Sequence, residues 1–148
     1  AVSVSERIRR DTKTAMKERD KTRVAALRMI GAALKNGEIE AGRQLEEREE
    51  QTILRRQLKQ REESAAAFRK AGREERAASE AAEAEIVRSY LPEPLSREKL
   101  EEIVDRAVAE TGATGMKDMG AVMGRAMELS GGRAEGRELS ALARKRLQ

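Results

Sequence analysis

The stretch Tyr90-Leu91-Pro92-Glu93-Pro94-Leu95-Ser96 decides how this chain divides. Proline lacks an N–H and fixes its own φ, and it pushes the preceding residue away from helical geometry. Two prolines around a single glutamate therefore stop a helix arriving from the N-terminal side and stiffen the connection. Ser96 then supplies a side-chain oxygen that can cap a new helix. The expected organisation is a helical unit over residues 1–91, a proline-containing linker over 92–96, and a helical tail over 97–148.

Upstream of this stretch, Ala77, Ala81, Ala84, Val87 and Leu91 recur at helical spacing on a helix of about 73–91. Before it, Lys70-Ala71-Gly72-Arg73 reads as a helix end with Gly72 in the left-handed stop position. That helix covers roughly 46–71, and its stripe runs Leu54, Leu58, position 61, Ala65 and Phe68. The small alanines let the two helices pack closely as an antiparallel hairpin. Arg61 breaks the apolar stripe. Folding about Gly72 places it opposite roughly 83–84, so Glu80 or Glu83 is the expected ion-pair partner. Further upstream, a helix beginning near Asp20 carries Val24, Leu27, Ile30 and Leu34 inward, flanked by Lys21, Arg28 and Lys35. Asn36-Gly37 and Gly42 read as a loop. Ser3-Val4-Ser5-Glu6 reads as a capping box opening a first helix with Val4, Ile8 and Ala15/Met16 on one face.

Downstream, Leu100, Ile103, Val104, Ala107 and Val108 mark a fifth helix ending near Gly112. Met116, Met119, Met123 and Met127 fall on one face of a sixth, and Gly120 and Gly124 on an adjacent line. A helix-interior glycine costs ~1 kcal/mol relative to alanine. The pair is therefore read as a place of close approach, by a neighbouring helix or by nucleic-acid backbone. The loop Gly131-Gly132-Arg133-Ala134-Glu135-Gly136 leads into a last helix with Leu139, Leu142 and Leu147.

Composition agrees with an all-α fold: an N-terminal hairpin or bundle unit followed by a small three-helix tail. Of 148 residues 39% are charged and 1% aromatic, too little bulk for a β-sandwich or barrel core. No segment alternates β-branched and aromatic residues as a strand would. The chain has no histidine and no cysteine, which removes the Ser-His-Asp triad, the Cys-His pair and nearly every zinc site. Glycine-rich phosphate loops need a preceding strand, and none is expected. No cofactor, metal or self-contained catalysis is expected; Glu80, Glu83 and Glu85 read as a solvated or ion-paired face. No apolar run is long enough to span a membrane, so the expected location is the cytoplasm. Basic and acidic residues number 31 and 27 and are interleaved, 21 against 18 over residues 1–95 and 10 against 9 over 96–148. Such interleaving favours solvated helix faces over a general electrostatic glue for duplexes.

Several short strings carry a resemblance. Ala15-Met16-Lys17 with Arg23 and Leu27-Arg28-Met29, Gln60-Arg61 with Ser64, Lys70-Ala71-Gly72-Arg73 and Tyr90-Leu91-Pro92 occur in order. They continue as Met116-Lys117-Asp118-Met119-Gly120 with Val122-Met123-Gly124, then Gly132-Arg133-Ala134 with Gly136. In that order and spacing the chain resembles the GatB/YqeY family, in particular its free-standing YqeY-like proteins, over nearly its whole length. The departures are Glu46, where the family often places a Ser/Thr/Asp cap, and a glycine-rich loop at Ser130-Gly131.

The resemblance implies a tail similar to the end of the B subunit of glutamine-dependent, tRNA-dependent amidotransferases. There the tail helps hold tRNA while amide transfer occurs elsewhere, so the family's carbon–nitrogen ligase label implies association with that chemistry. Two functions are expected to compete: a tRNA-binding accessory module associated with translation, and a protein–protein adaptor without RNA contact, its partner an amidotransferase or other translation protein. With one Phe and one Tyr the chain lacks base-stacking platforms, so RNA would be held by shape and phosphates. The RNA-contact candidates are Lys117, Gly120, Gly124, Arg125, Arg133 and Arg137.

Overall fold

The computed structural model describes residues 2–148, so Ala1 lies outside it. The described residues form α1 (Val4–Lys17), α2 (Lys21–Ala41), α3 (Glu47–Lys70), α4 (Glu74–Arg88) and α5 (Arg97–Thr111). A 3-10 turn (Met116–Asp118), α6 (Met119–Ser130) and α7 (Gly136–Leu147) follow, with no strand among the described residues. No helix is long and apolar enough to cross a membrane among the described residues.

Backbone contacts divide the chain into two units, Ala1–Leu91 and Pro92–Gln148. In the first, Ile8, Leu27, Ile30, Leu34, Leu54, Val87 and Tyr90 form one apolar core. Ser3 Oγ accepts from the Glu6 N–H at 3.2 Å and starts α1, and Asp20 Oδ1 accepts from the Arg23 N–H at 3.0 Å and starts α2. Met16, expected inward beside Ala15, is instead 51% exposed. Tyr90 is buried, donates its hydroxyl proton to Asp11 Oδ2, and carries the Arg7 guanidinium 5.1 Å above its ring. Burial, reinforced by the Asp11 carboxylate, pushes the Tyr90 phenol up to about 12.

The expected loop at Asn36-Gly37 is corrected by the structure: α2 continues through both residues and stops at Gly42, whose φ is +70°. Gly37 sits inside the helix because a Cβ there would lie 2.6 Å from Ile53 Cδ1 and 3.2 Å from Leu45 Cδ1. Its glycine serves side-chain packing, not chain reversal. At the start of α3, Glu49 accepts from the Glu46 N–H at 2.9 Å. The Arg43 guanidinium bonded to Glu49, with that N–H, holds the Glu49 carboxyl at about 2. A side chain three residues into the helix thus satisfies the N–H of the N-cap residue, the backward half of a capping box.

In the second unit, Leu100, Ile103, Val104, Ala107, Val122, Ala126, Leu139 and Ala143 form a separate core. Ser96 Oγ accepts from the Lys99 N–H at 3.1 Å, and α5 ends at Gly112, φ +66°. Leu95 packs against this core, so the proline segment travels with the second unit rather than standing free. The sixth helix begins later than its methionines predict. Met116 belongs to the 3-10 turn and is exposed, whereas Met119, Met123 and Met127 pack on the core.

Candidate functional site

The turn before α6 is set by Asp118. Its Oδ2 accepts from the N–H groups of Thr114 at 2.9 Å and Gly115 at 3.3 Å, and these donors hold its carboxyl below the usual range. Lys117 is therefore presented from a fixed turn, exposed and with no ion-pair partner among the described residues. Behind it, Gly120, Gly124 and Glu128 lie four apart on the outer line of α6, all exposed. A Cβ built on Gly120 or Gly124 meets nothing within 4 Å. The reading of this pair as a helix–helix contact is overturned, because the core line of α6 is Val122 and Ala126 instead. What the two glycines expose is bare helix backbone.

Arg125, beside this strip, is committed within the protein. Its Nε donates to Glu110 Oε2 at 2.7 Å and its Nη1 to Glu128 Oε2 at 3.0 Å. Both carboxylates hold the Arg125 guanidinium above its ordinary pKa, Glu110 most strongly, and Glu110 is lowered in turn. A phosphate arriving there would have to displace two carboxylates already in place.

The loop after α6 takes two successive left-handed residues, Gly131 at φ +59° and Gly132 at φ +80°, and buries Gly132 and Ala134. It leaves Arg133 exposed, with Nη2 donating to the Glu93 carbonyl at 3.0 Å. A carbonyl does not neutralise the guanidinium, so Arg133 both ties the proline segment to this loop and keeps its charge. Arg137, in the first turn of α7, stands elsewhere, at the rim of a groove of about 500 Å³ that Leu95, Leu100 and Leu142 line. Arg97 and Lys145 line the same groove. The candidates thus fall into three places: Lys117, Gly120, Gly124 and Arg125 around α6, Arg133 on the loop, and Arg137 on α7.

Lys145 was not singled out from the sequence, although Arg137, Ala141 and Lys145 form one helix line four residues apart. Neither Arg137, Arg144 nor Lys145 meets a carboxylate among the described residues, while Arg146 pairs with Asp105. Residues 136–148 hold Arg137, Arg144, Lys145 and Arg146 against Glu138 alone. The tail is balanced in total, but its positive charge is concentrated in the last helix.

In the first unit, Arg61 Nη1 lies 3.1 Å from Glu80 Oε2 and 3.7 Å from Glu83 Oε2, with the three side chains 21%, 17% and 19% exposed. The contact is close but not aligned as a hydrogen bond, since Arg61 Nε and Glu80 Oε2 have no hydrogen-bond partner. Burial, followed by repulsion from Glu80, raises the Glu83 carboxyl despite Arg61. One cation thus holds two carboxylates in the hairpin. Glu50 was also missed: buried at the start of α3, it accepts from both the N–H and the Oγ of Ser5 at 3.2 Å. Among the described residues no group of three or more His, Cys, Asp or Glu is placed to hold a metal.

The family model described as Yqey-like protein matches residues 5–147, all but the extreme ends of the chain. Among curated proteins no match is found.

Proposed function

This chain belongs to the YqeY-like family, and from that premise we propose that it is a non-catalytic helical protein that holds tRNA by its phosphates. The reading extends the resemblance of its second unit to the tRNA-holding tail of the amidotransferase B subunit, with any amide transfer carried out by a partner. The observation that carries it is the unpaired positive charge of α7. Within the second unit Arg97, Lys99, Arg106, Arg125 and Arg146 pair with carboxylates, whereas Arg137, Arg144 and Lys145 pair with none among the described residues. Lys117 adds charge before a backbone strip that no side chain covers, and Arg133 adds charge on the loop after α6. Phosphate contacts of this kind position a nucleic acid without reading its sequence.

The test is retention of total tRNA by the full chain across a salt series. Arg137→Ala and Lys117→Ala should each lower the magnitude of the log-affinity slope against log salt by about one. Arg125→Ala should change it far less, since that charge is already met by Glu110 and Glu128. Intact, fully helical protein that retains no tRNA at low salt would end this reading in favour of the adaptor.

A further inference from the structure

A second surface, independent of the RNA reading, lies in the first unit. Helices α1 and α2 run antiparallel, with Ile8 Cγ2 3.6 Å from where a Gly31 Cβ would stand. Between them is an open groove of about 300 Å³. On α1 its wall is Ser5, Arg9 and Thr12, and Met16 continues the same line. On α2 the wall is Arg28, Gly31 and Lys35. Arg9 and Lys35 meet no carboxylate among the described residues, and Arg28 reaches only Met16 Sδ, at 3.7 Å. Met16 is 51% exposed at this end, and Val2 is 51% exposed just before α1 at the other.

Gly31 tells what the groove is shaped for. A Cβ at 31 would make an ordinary contact, so internal packing does not require glycine there. The helix-propensity penalty at 31 buys depth in the groove floor.

The charge then changes sign along the groove. It opens into a second concavity of about 260 Å³, sharing Ser5, Arg9 and Glu38, where Glu6 and Glu50 also line the wall. A polyphosphate strand is negative throughout and would meet repulsion at that end, and it gains nothing from Met16. A polypeptide helix can carry both signs and apolar residues on one face. From Ser5 to Met16 the wall is about 16 Å long, three helical turns. We infer that the α1–α2 groove docks an amphipathic helix of a partner protein, with carboxylates set against Arg28 and Lys35, a basic residue toward Glu6 and Glu38, and an apolar residue on Met16. This is helix-in-groove recognition with charge fixing the direction.

The test uses the full chain and a fluorescent helix-stabilised peptide with two glutamates spaced like Arg28 and Lys35, a lysine toward one end and a leucine toward the other. A control peptide carries lysines in place of the glutamates. The acidic peptide should bind and the control should not. Binding should weaken about tenfold or more in Arg28→Glu/Lys35→Glu, which leaves the groove floor intact. Gly31→Leu, which fills the floor, should have a similar effect with helix content retained. Equal binding of the two peptides, or binding indifferent to the charge reversal, overturns the proposal. So does loss of tRNA retention in Arg28→Glu/Lys35→Glu, which would make the groove a phosphate surface. Self-association abolished by that variant would make the occupant a second copy and overturn it too.

Discussion

Arg61→Met takes one cation away from two carboxylates and keeps the bulk of the side chain. In the native hairpin Arg61 Nη1 stands 3.1 Å from Glu80 and 3.7 Å from Glu83. Breaking a fully desolvated pair costs about 3–5 kcal/mol, because a charge is left without compensation. Each of these side chains keeps roughly a fifth of its surface in water, and the pair is not aligned as a hydrogen bond. Both features reduce the cost, to about 2 kcal/mol at neutral pH. The sign of the pH dependence follows from Glu83, whose carboxyl is already raised in the folded protein. A raised carboxyl means the folded state holds that proton more tightly than the unfolded chain does. Its contribution is therefore fully present below the ordinary glutamate pKa and is lost as pH rises through the folded value. Without Arg61 the shift grows, so the deficit of the variant should shrink on acidification and deepen toward neutrality. Urea unfolding followed by far-UV circular dichroism, with a shared m-value, measures both effects. Glu83→Gln in the native background should be no less stable than wild type, since Arg61 then faces Glu80 alone. An Arg61→Met variant within about 0.5 kcal/mol of wild type, the range of ordinary surface changes, would refute the reasoning. So would a deficit that does not respond to pH.

Two further predictions concern single side chains. The chain has one tyrosine, so tyrosinate absorbance reports Tyr90 alone; its midpoint should lie near 12, and the stability it lends should be lost as pH rises from about 10 through that value. A midpoint at the ordinary tyrosine value in folded protein would contradict its burial against Asp11. Gly120→Ala and Gly124→Ala should each stabilise by about 0.5–1 kcal/mol, because alanine restores helix propensity where no atom stands in its way. Gly37→Ala should gain less than these, because Ile53 Cδ1 would stand 2.6 Å from the new Cβ and must swing aside; equal effects at Gly37 and Gly124 in urea unfolding would show that the packing argument fails.

The features legible in the sequence were those fixed by short-range backbone constraints. Gly72, Ser96 and Gly112 end or begin helices through their own φ or side-chain oxygen, and neither depends on the rest of the fold. The register of Arg61 against Glu80 followed because a tight turn at Gly72 leaves one way to fold the hairpin back. Gly37 misled because its reason lies in Ile53 and Leu45, and a helix-interior glycine looks the same in sequence whether it ends a helix or admits a neighbour. Glu50 was invisible for a similar cause, since its donor Ser5 is 45 residues away. At the candidate site, Arg125 could be placed on its helix but not recognised as engaged, because Glu110 reaches it from α5.

Charge counting over the whole tail failed for a related reason. Ten basic and nine acidic residues over 96–148 read as neutral, yet a ligand meets local surfaces, not sums. Folding pairs Arg97 with Glu101, Arg106 and Arg125 with Glu110, and Arg146 with Asp105. These pairs consume most of the acidic side chains of α5 and much of the basic charge near it. Besides Lys117 and Arg133, what remains unpaired among the described residues of the tail sits on α7, where Arg137 and Lys145 share one line and Arg144 is their neighbour. Exposed ion pairs of this kind add little stability. Their larger effect is to fix which cations stay free, so removing a pairing acid should act like adding a base. Glu110→Gln frees Arg106 and leaves Arg125, beside the Gly120–Gly124 strip, with Glu128 alone. On the phosphate-contact reading it should strengthen tRNA retention at low salt and steepen the salt slope, while stability changes little.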